Sequence, residues 1–542
     1  MECNKKLVFS QLLYQFAGKA IQIIAFLFLL LLFSVNFIWT SYSLDMESQK
    51  VLIKTDSPLQ NIFFLFISLL LVFGLNYLLC RKPDQTSRIL KLFVPCHIFF
   101  WCAIQLVFSR TVPAADAYSV YHCAEEIAGG NLSCIQPSGS YLSYYPQQIG
   151  LLSMLELLFR FFRLLPINFP YYHLLKIVYA FFLWGIVMHL YRICELLKLR
   201  KETCNLLLLI CCLHAPLIMY AAFLYSEIPS FYFFTLGIIG LLRVLSKRTD
   251  FKAYSVKSIL FLLTGMPLSV LLRKNSLIFI IAVMIVLFFC WLAQYKERMD
   301  LLILGLATLL LSVSILPFTI KLYEWRAGNP LRSGVPAMSY FAMGMQESSR
   351  AAGWYNGFNF NTYDQTGMNS EETISISKEA ISERINYFAQ NPSYCAAFYG
   401  EKFLSQWADG TYACRQATLA TFGGRSQFFH ELYEGKYSIC FITYCNAFQL
   451  LLLLGGLVFF AISLFRQCRI SGTQNSCELE LFCLLICALG GLLFHMLWEA
   501  NSRYIFLYGL CLLPYCADGL TILYSLLLQQ LKKGRVTRSG NK

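Results

Sequence analysis

Ile89–Phe108 reads ILKLFVPCHIFFWCAIQLVF, and a short stretch later the chain reaches Asp116-Ala117-Tyr118. The first is an apolar run of the roughly 20 residues that cross a hydrocarbon core. The second sets a carboxylate just beyond it, at the head of a polar, aromatic loop. Ionisable groups are costly near a bilayer, so an acid where a span meets water is a functional candidate. Further apolar runs lie near 20–40, 59–80, 172–191, 203–224, 228–246, 258–272, 276–295, 301–322, 446–465, 478–498 and 504–529. Hydrophobic residues make up 57% of the 542 positions and charged ones 14%, which excludes a soluble globule and a disordered chain alike. The reading is an all-α polytopic membrane protein with a bundle of about 11–13 transmembrane helices.

The run 258–272 is short and stops at Arg273-Lys274, which predicts a half-span or re-entrant helix covered by protein or a wet cavity. Basic residues alternate between loops. Lys5, Lys6 and Lys19 precede the first span; Arg81, Lys82, Arg88 and Lys91 follow the second. Arg192, Lys198, Arg200 and Lys201 follow the fourth, and Arg243, Lys247, Arg248, Lys252 and Lys257 the sixth. Lys532, Lys533, Arg535, Arg538 and Lys542 end the chain. The positive-inside bias then predicts a multi-pass plasma-membrane protein with both termini cytoplasmic and with Asp116, Glu227 and Glu499 outside. The net charge of +14 belongs mainly to the cytoplasmic rim and argues contact with membrane lipids, not nucleic acid. The first apolar segment, longer than a signal-peptide core, reads as a retained anchor, and Leu7–Phe16 as an interfacial helix.

Three regions follow: 1–322, a transmembrane module with a helical first outer loop at 109–171; 323–445, a small α-rich outer cap; and 446–542, the last helices and basic tail. In the first loop, Tyr118–Ala128 has helical propensity and ends at Gly129. The apolar stretch Ile149–Leu165 lies in the interface or dips back into the membrane. The cap is predicted to hold a polar helix near Glu371–Gln390. Of the 21 cysteines most sit in spans, where a thiol behaves as a small apolar group. Cys123 and Cys134 share an outer loop and could pair, as could two of Cys395, Cys414, Cys440 and Cys445.

The outer charges suit transfer of a sugar from a lipid phosphate to a hydroxyl. Asp116 suits the base, its acidity open to tuning by burial. Arg503 can grip phosphate through two parallel hydrogen bonds, and Arg273, Lys274 and Lys402 offer further cations. Tyr118, Tyr144, Tyr145 and Tyr504, with Glu499, are candidates to line the substrate site. Each also has a structural reading. Asp116 can cap the Tyr118–Ala128 helix; Glu227 can begin a helix at the positive end of its dipole. Arg503 can pair with Glu499 at i,i+4; Arg273 and Lys274 can snorkel; Lys402 can sit on a solvated helix surface and Asp409 in a turn. No nucleotide-binding glycine loop, HExxH or paired-cysteine metal motif occurs, which fits a donor that is itself a lipid.

Four pieces in this order resemble the GT-C superfamily of polytopic glycosyltransferases: Asp116-Ala-Tyr with Tyr144-Tyr-Pro146; Tyr225-Ser-Glu227; Leu272-Arg-Lys-Asn275; and Glu499-Ala-Asn-Ser-Arg-Tyr504. Within it the chain is similar to bacterial membrane proteins of the protein-mannosyltransferase-like family. The resemblance implies a GT-C-like bundle, a polyprenyl-phosphate sugar as donor, and a glycan, lipid-linked sugar or protein as acceptor. It also implies inversion at the anomeric carbon, with Asp116 as the catalytic acidic residue of the first outer loop. In the same reading Glu227 is a catalytic-site candidate that positions the acceptor or supports the residues around it. A divalent metal stays open. The rival readings are a polysaccharide polymerase or ligase, and a transporter or lipid flippase. A transporter would place ionisable groups near the midplane in repeated halves; the span interiors here are largely uncharged.

Overall fold

The computed structural model describes residues 2–44, 48–109, 112–166, 169–246, 255–293, 298–418, 426–469 and 479–539. Lys247, Arg248, Lys252 and Lys542 lie outside the described residues, as do the side chains of Lys5, Lys6, Lys532, Lys533, Arg535 and Arg538 and part of the cap, 419–425. The fold is that of an all-α polytopic membrane protein. Among the described residues nine helices are long and apolar enough to cross a membrane, and two shorter apolar ones, Val256–Leu272 and Cys483–Leu497, stand with them. Each coincides with one of the apolar runs read from the sequence.

The remaining run, 203–224, is a correction. It forms Lys201–Leu213 and Ala215–Ala222, bent by 63°. Pro216 follows the break, and His214 accepts a hydrogen bond from the Leu217 amide, so proline geometry and a side-chain cap close one helix and open the next. The seventh run, Val256–Leu272, is short as predicted, and the chain extends at Arg273 before turning through Lys274–Ser276 into Leu277–Ala293. At the N-terminus one helix, Glu2–Ile38, replaces the expected interfacial segment and separate span. It leads into an antiparallel pair of short strands, Trp39–Tyr42 and Leu52–Thr55, that the apolar pattern did not announce.

Helices Glu227–Leu245 and Val256–Leu272 pack backbone against backbone. A Cβ on Gly265 would sit 2.6 Å from the Gly237 nitrogen, and one on Gly240 would sit 2.5 Å from the Leu262 nitrogen. In lipid, small residues at such a seam let dispersion and carbonyl contacts replace a hydrophobic force that is absent there. The two helices run in opposite directions. Their contact therefore brings the start of one, Glu227, beside the end of the other, Arg273.

The segment after the third span folds as helices Ala115–Ala128, ending at Gly129, and Ile149–Arg163. The second buries one face against the bundle and leaves Leu157 and Phe161 exposed on the other. Arg326, at the end of the 29-residue helix Met299–Ala327, forks onto Glu156 at 2.9 and 2.6 Å, and Arg160 and Tyr323 share the same carboxylate. A bidentate guanidinium gives this anchor direction as well as charge. Between Ala327 and the helix Ser438–Arg469, the cap contains helices Ala337–Gly344, Phe358–Gln365, Ser370–Gln390 and Pro392–Trp407. Met345, Ala352, Phe388 and Phe398 form its own small core. Cys123, Cys134, Cys395, Cys414, Cys440 and Cys445 are free thiols. Cys134 lies against the Cys123 carbonyl at 4.0 Å, but the expected disulfides are not formed.

Candidate functional site

A cavity of about 970 Å³ opens at the end of the bundle where the cap sits. Asp116, Tyr145, Arg273, Lys274, Glu499, Arg503 and Tyr504 all line it. Four separate stretches of chain deliver these groups, and the local backbone explains each.

Asp116 follows a π-helical turn, Gln105–Ser109, at the end of the third span. Ala114 takes the N-cap position of helix Ala115–Ala128 and no side chain caps it, so Asp116 is not a cap. It lies in the first turn, exposed to the cavity, where the helix dipole favours a carboxylate. The preceding Ala115 has φ +48°, a left-handed conformation that an alanine adopts only when its surroundings impose it.

Arg273 and Arg503 share one buried carboxylate. Arg273 Nη1 stands 2.9 Å from Glu227 Oε1 and Arg503 Nε 3.7 Å from the same oxygen. Glu227 has no exposed surface and begins its helix, as its structural reading held. It does not line the cavity but lies behind its wall, paired with the two arginines that do. Of the two places open to it, beside the acceptor or supporting the residues around it, it takes the second. Neither of its oxygens completes an aligned hydrogen bond, so the contact is electrostatic. Arg273 Nη1 also donates to Ser226 Oγ at 3.1 Å. Arg503 lies over the rings of Phe223, Tyr225 and Tyr504 at 5.2–5.8 Å, and Arg273 over Tyr504 at 5.9 Å. A weakly hydrated guanidinium stacks on such aromatic faces at a lower desolvation cost than an ammonium. Arg503 does not pair with Glu499 at i,i+4; its acid comes from a different helix. Asn501 Oδ1 accepts from the Arg503 amide at 2.9 Å and starts the last helix.

Glu499 sits in the break between Cys483–Leu497 and Ser502–Ser539. Burial pushes its carboxyl up to about 7, although Tyr504 donates to it at 3.0 Å. The nearby Asp116 charge pushes in the same direction. Tyr145 is raised by burial first, then by Tyr355 and Asp116. Tyr225, held by Gln148 and by Tyr179, is raised by burial and then by Asp116. Phenols between the two acids therefore stay protonated donors.

Three sequence candidates fall elsewhere. Tyr118 is 53% exposed and stacks on His122 at 5.6 Å, because two residues along a helix turns a side chain some 200° from Asp116. Tyr144 points away from the cavity and donates to Asp364. Lys402 is fully buried, donating to the carbonyls of Gly344 and, at 2.8 Å, Trp498; burial lowers its ammonium to about 7. Its solvated-surface reading fails along with its phosphate-binding one. It fastens the cap to the Glu499 turn. Asp409 does occupy a turn, accepting from the Thr411 and Ala413 amides.

Sequence reasoning missed Gln49, Tyr141, Tyr340, Arg350, Trp354, Tyr355 and Trp498, which complete the lining. Tyr340, Arg350, Trp354 and Tyr355 come from the cap, and Gln49, Tyr141 and Trp498 from three other stretches of chain; that they converge is not legible in the sequence. Leu277, Ile278 and Ile281 also line the cavity, and Ile281 is 59% exposed on the bundle flank. Among the described residues no three His, Cys, Asp or Glu side chains come together as a metal site. Asp116 and Glu499 alone do not make a ligand set for a divalent ion.

Fold and site together define an all-α polytopic membrane protein with, among the described residues, a large charged and aromatic cavity at the end of the bundle that the cap covers. No protein-family model, curated protein or solved structure matches the chain.

Proposed function

We propose that the protein is a GT-C-type membrane glycosyltransferase that transfers a sugar from a polyprenyl-phosphate donor to an acceptor hydroxyl, with inversion. The observation that carries this reading is one cavity lined at once by Asp116, by Arg273, Lys274 and Arg503, and by the outward-exposed Ile281. A carboxylate to take a proton, cations to hold a phosphate and an apolar edge to admit a lipid tail are what such a reaction requires.

In this reading Asp116 accepts the acceptor's hydroxyl proton as its oxygen attacks the anomeric carbon. The bond from that carbon to the donor's phosphate oxygen breaks, and the electron pair leaves with the lipid phosphate. Arg273, Lys274 and Arg503 stabilise the charge that develops there. Glu227 holds the two arginines in place before substrate arrives, so little reorganisation remains for the reaction itself. The cavity faces outward from the plasma membrane and both termini are cytoplasmic, as the basic loops indicate. The acceptor is a cell-envelope glycan, a lipid-linked sugar or a protein.

The test is transfer of label from a panel of polyprenyl-phosphate hexoses by the purified protein. Asp116→Asn should lower kcat by about 10²- to 10⁴-fold without loss of donor binding, and Arg503→Ala should weaken dodecyl phosphate binding. Export of an intact lipid-linked sugar, unchanged by Asp116→Asn, would favour a flippase instead.

A further inference from the structure

The cavity holds a further cation, carried on a different element from the other three. Arg350 lines it from the cap, while Arg273, Lys274 and Arg503 line it from the membrane helices. The Arg350 guanidinium stands 5.6 Å over the Tyr355 ring, and among the described residues no carboxylate pairs with it. Its main chain is tied on both sides: the amide donates to Ser348 Oγ at 3.1 Å and the carbonyl accepts from Val51 at 3.0 Å. The guanidinium is thus carried on a fixed backbone at the cap wall, and among the described residues no hydrogen bond or ion pair takes up its donors.

The two centres are carried on different elements. Arg273 and Arg503 gather around Glu227 and Tyr504 at the ends of membrane helices, and Tyr504 reaches Glu499; Arg350 stands on the cap over Tyr355, its backbone tied to Val51. Asp116 and Tyr145 line the same cavity. A donor phosphate held by the membrane-side cations leaves Arg350, on the cap wall of the same cavity, open to a second anion. An unpaired guanidinium beside aromatic faces matches a planar or tetrahedral anion attached to a sugar ring.

We propose that Arg350, with Tyr355, forms a second anion subsite that binds an acceptor carrying a carboxylate or phosphate group. This rests on the transferase reading and adds the acceptor's charge to it. Arg350 is a specificity residue for the acceptor and takes no part in bond cleavage.

The experiment is a thermal-shift titration of the full-length protein in detergent with three probes: dodecyl phosphate, glucuronate and glucose. Glucuronate should stabilise the protein and glucose at the same concentration should not. Arg350→Gln should weaken the glucuronate response at least about tenfold, the loss of a charge-assisted pair, and leave that to dodecyl phosphate within about twofold. Arg350→Lys, which keeps the charge but not the fork, should fall between. Equal shifts by glucuronate and glucose on the unaltered protein would overturn the proposal without any variant. So would an undiminished glucuronate response in folded Arg350→Gln. Absence of any dodecyl phosphate response would count against the donor reading, whereas its presence beside an Arg350-independent glucuronate response sinks only the second subsite.

Discussion

Arg273 Nη1 and Glu227 Oε1 stand 2.9 Å apart at the shared end of two helices whose backbones touch at glycine. The pair joins packing to chemistry. A seam that only small residues permit carries a buried carboxylate to the one place where it can hold two cavity arginines.

Glu227→Gln leaves Arg273 and Arg503 without their counter-charge. Breaking a buried pair in this way costs about 3–5 kcal/mol, so the variant should melt earlier. Dodecyl phosphate should restore more stability to it than to the unaltered protein, because the ligand supplies the missing negative charge. Equal melting in thermal-shift assays would show that the pair is not structural.

Gly150→Ala tests how Arg273 is placed. A Cβ at Gly150 would sit 1.7 Å from the Leu271 carbonyl oxygen, two residues before Arg273. The backbone must move. A displacement near 1 Å should cost about a hundredfold in transfer. Gly74→Ala, where nothing lies within 4 Å of the new atom, is the control and should leave transfer unchanged.

Glu499 should make the protein pH-sensitive. The folded protein holds this proton up to about pH 7, whereas the ordinary carboxyl value is 4.5. Between those values the folded state binds more protons than the unfolded chain, so stability falls as pH rises through the window, by up to about 3 kcal/mol. Glu499→Gln should flatten that slope in melting curves taken from pH 4.5 to 7.5. A slope that persists would assign the sensitivity to another group.

Lys402→Met should loosen the cap from the Glu499 turn. It removes both donors to the Gly344 and Trp498 carbonyls and leaves them buried, at about 1–3 kcal/mol each. The parallel bridge between Trp354 and Ala500 should then exchange its amides faster. Hydrogen exchange at Ala500, whose amide donates to Gly353 at 2.8 Å, is the direct readout. Unchanged protection there would mean that the bridge holds the turn without Lys402.

The apolar pattern determined which segments form helices long and apolar enough to cross a membrane, the bent run 203–224 apart, because a span must satisfy its own backbone over the thickness of the hydrocarbon. It also placed Asp116, Arg273, Lys274, Glu499 and Arg503 at span ends, since charge is driven there by solvation. The Ala115–Ala128 helix and its glycine stop followed from local propensity. Tertiary structure alone decided which of these groups meet. Tyr144 and Tyr145 are neighbours in sequence, yet only Tyr145 lines the cavity; Asp116 and Tyr118 diverge in the same way. Lys402 read as one more external cation, and packing turned it inward onto two carbonyls. Hydropathy is a property of segments, whereas a site is a property of side-chain directions, and those are set only when helices are rotated and seated against one another.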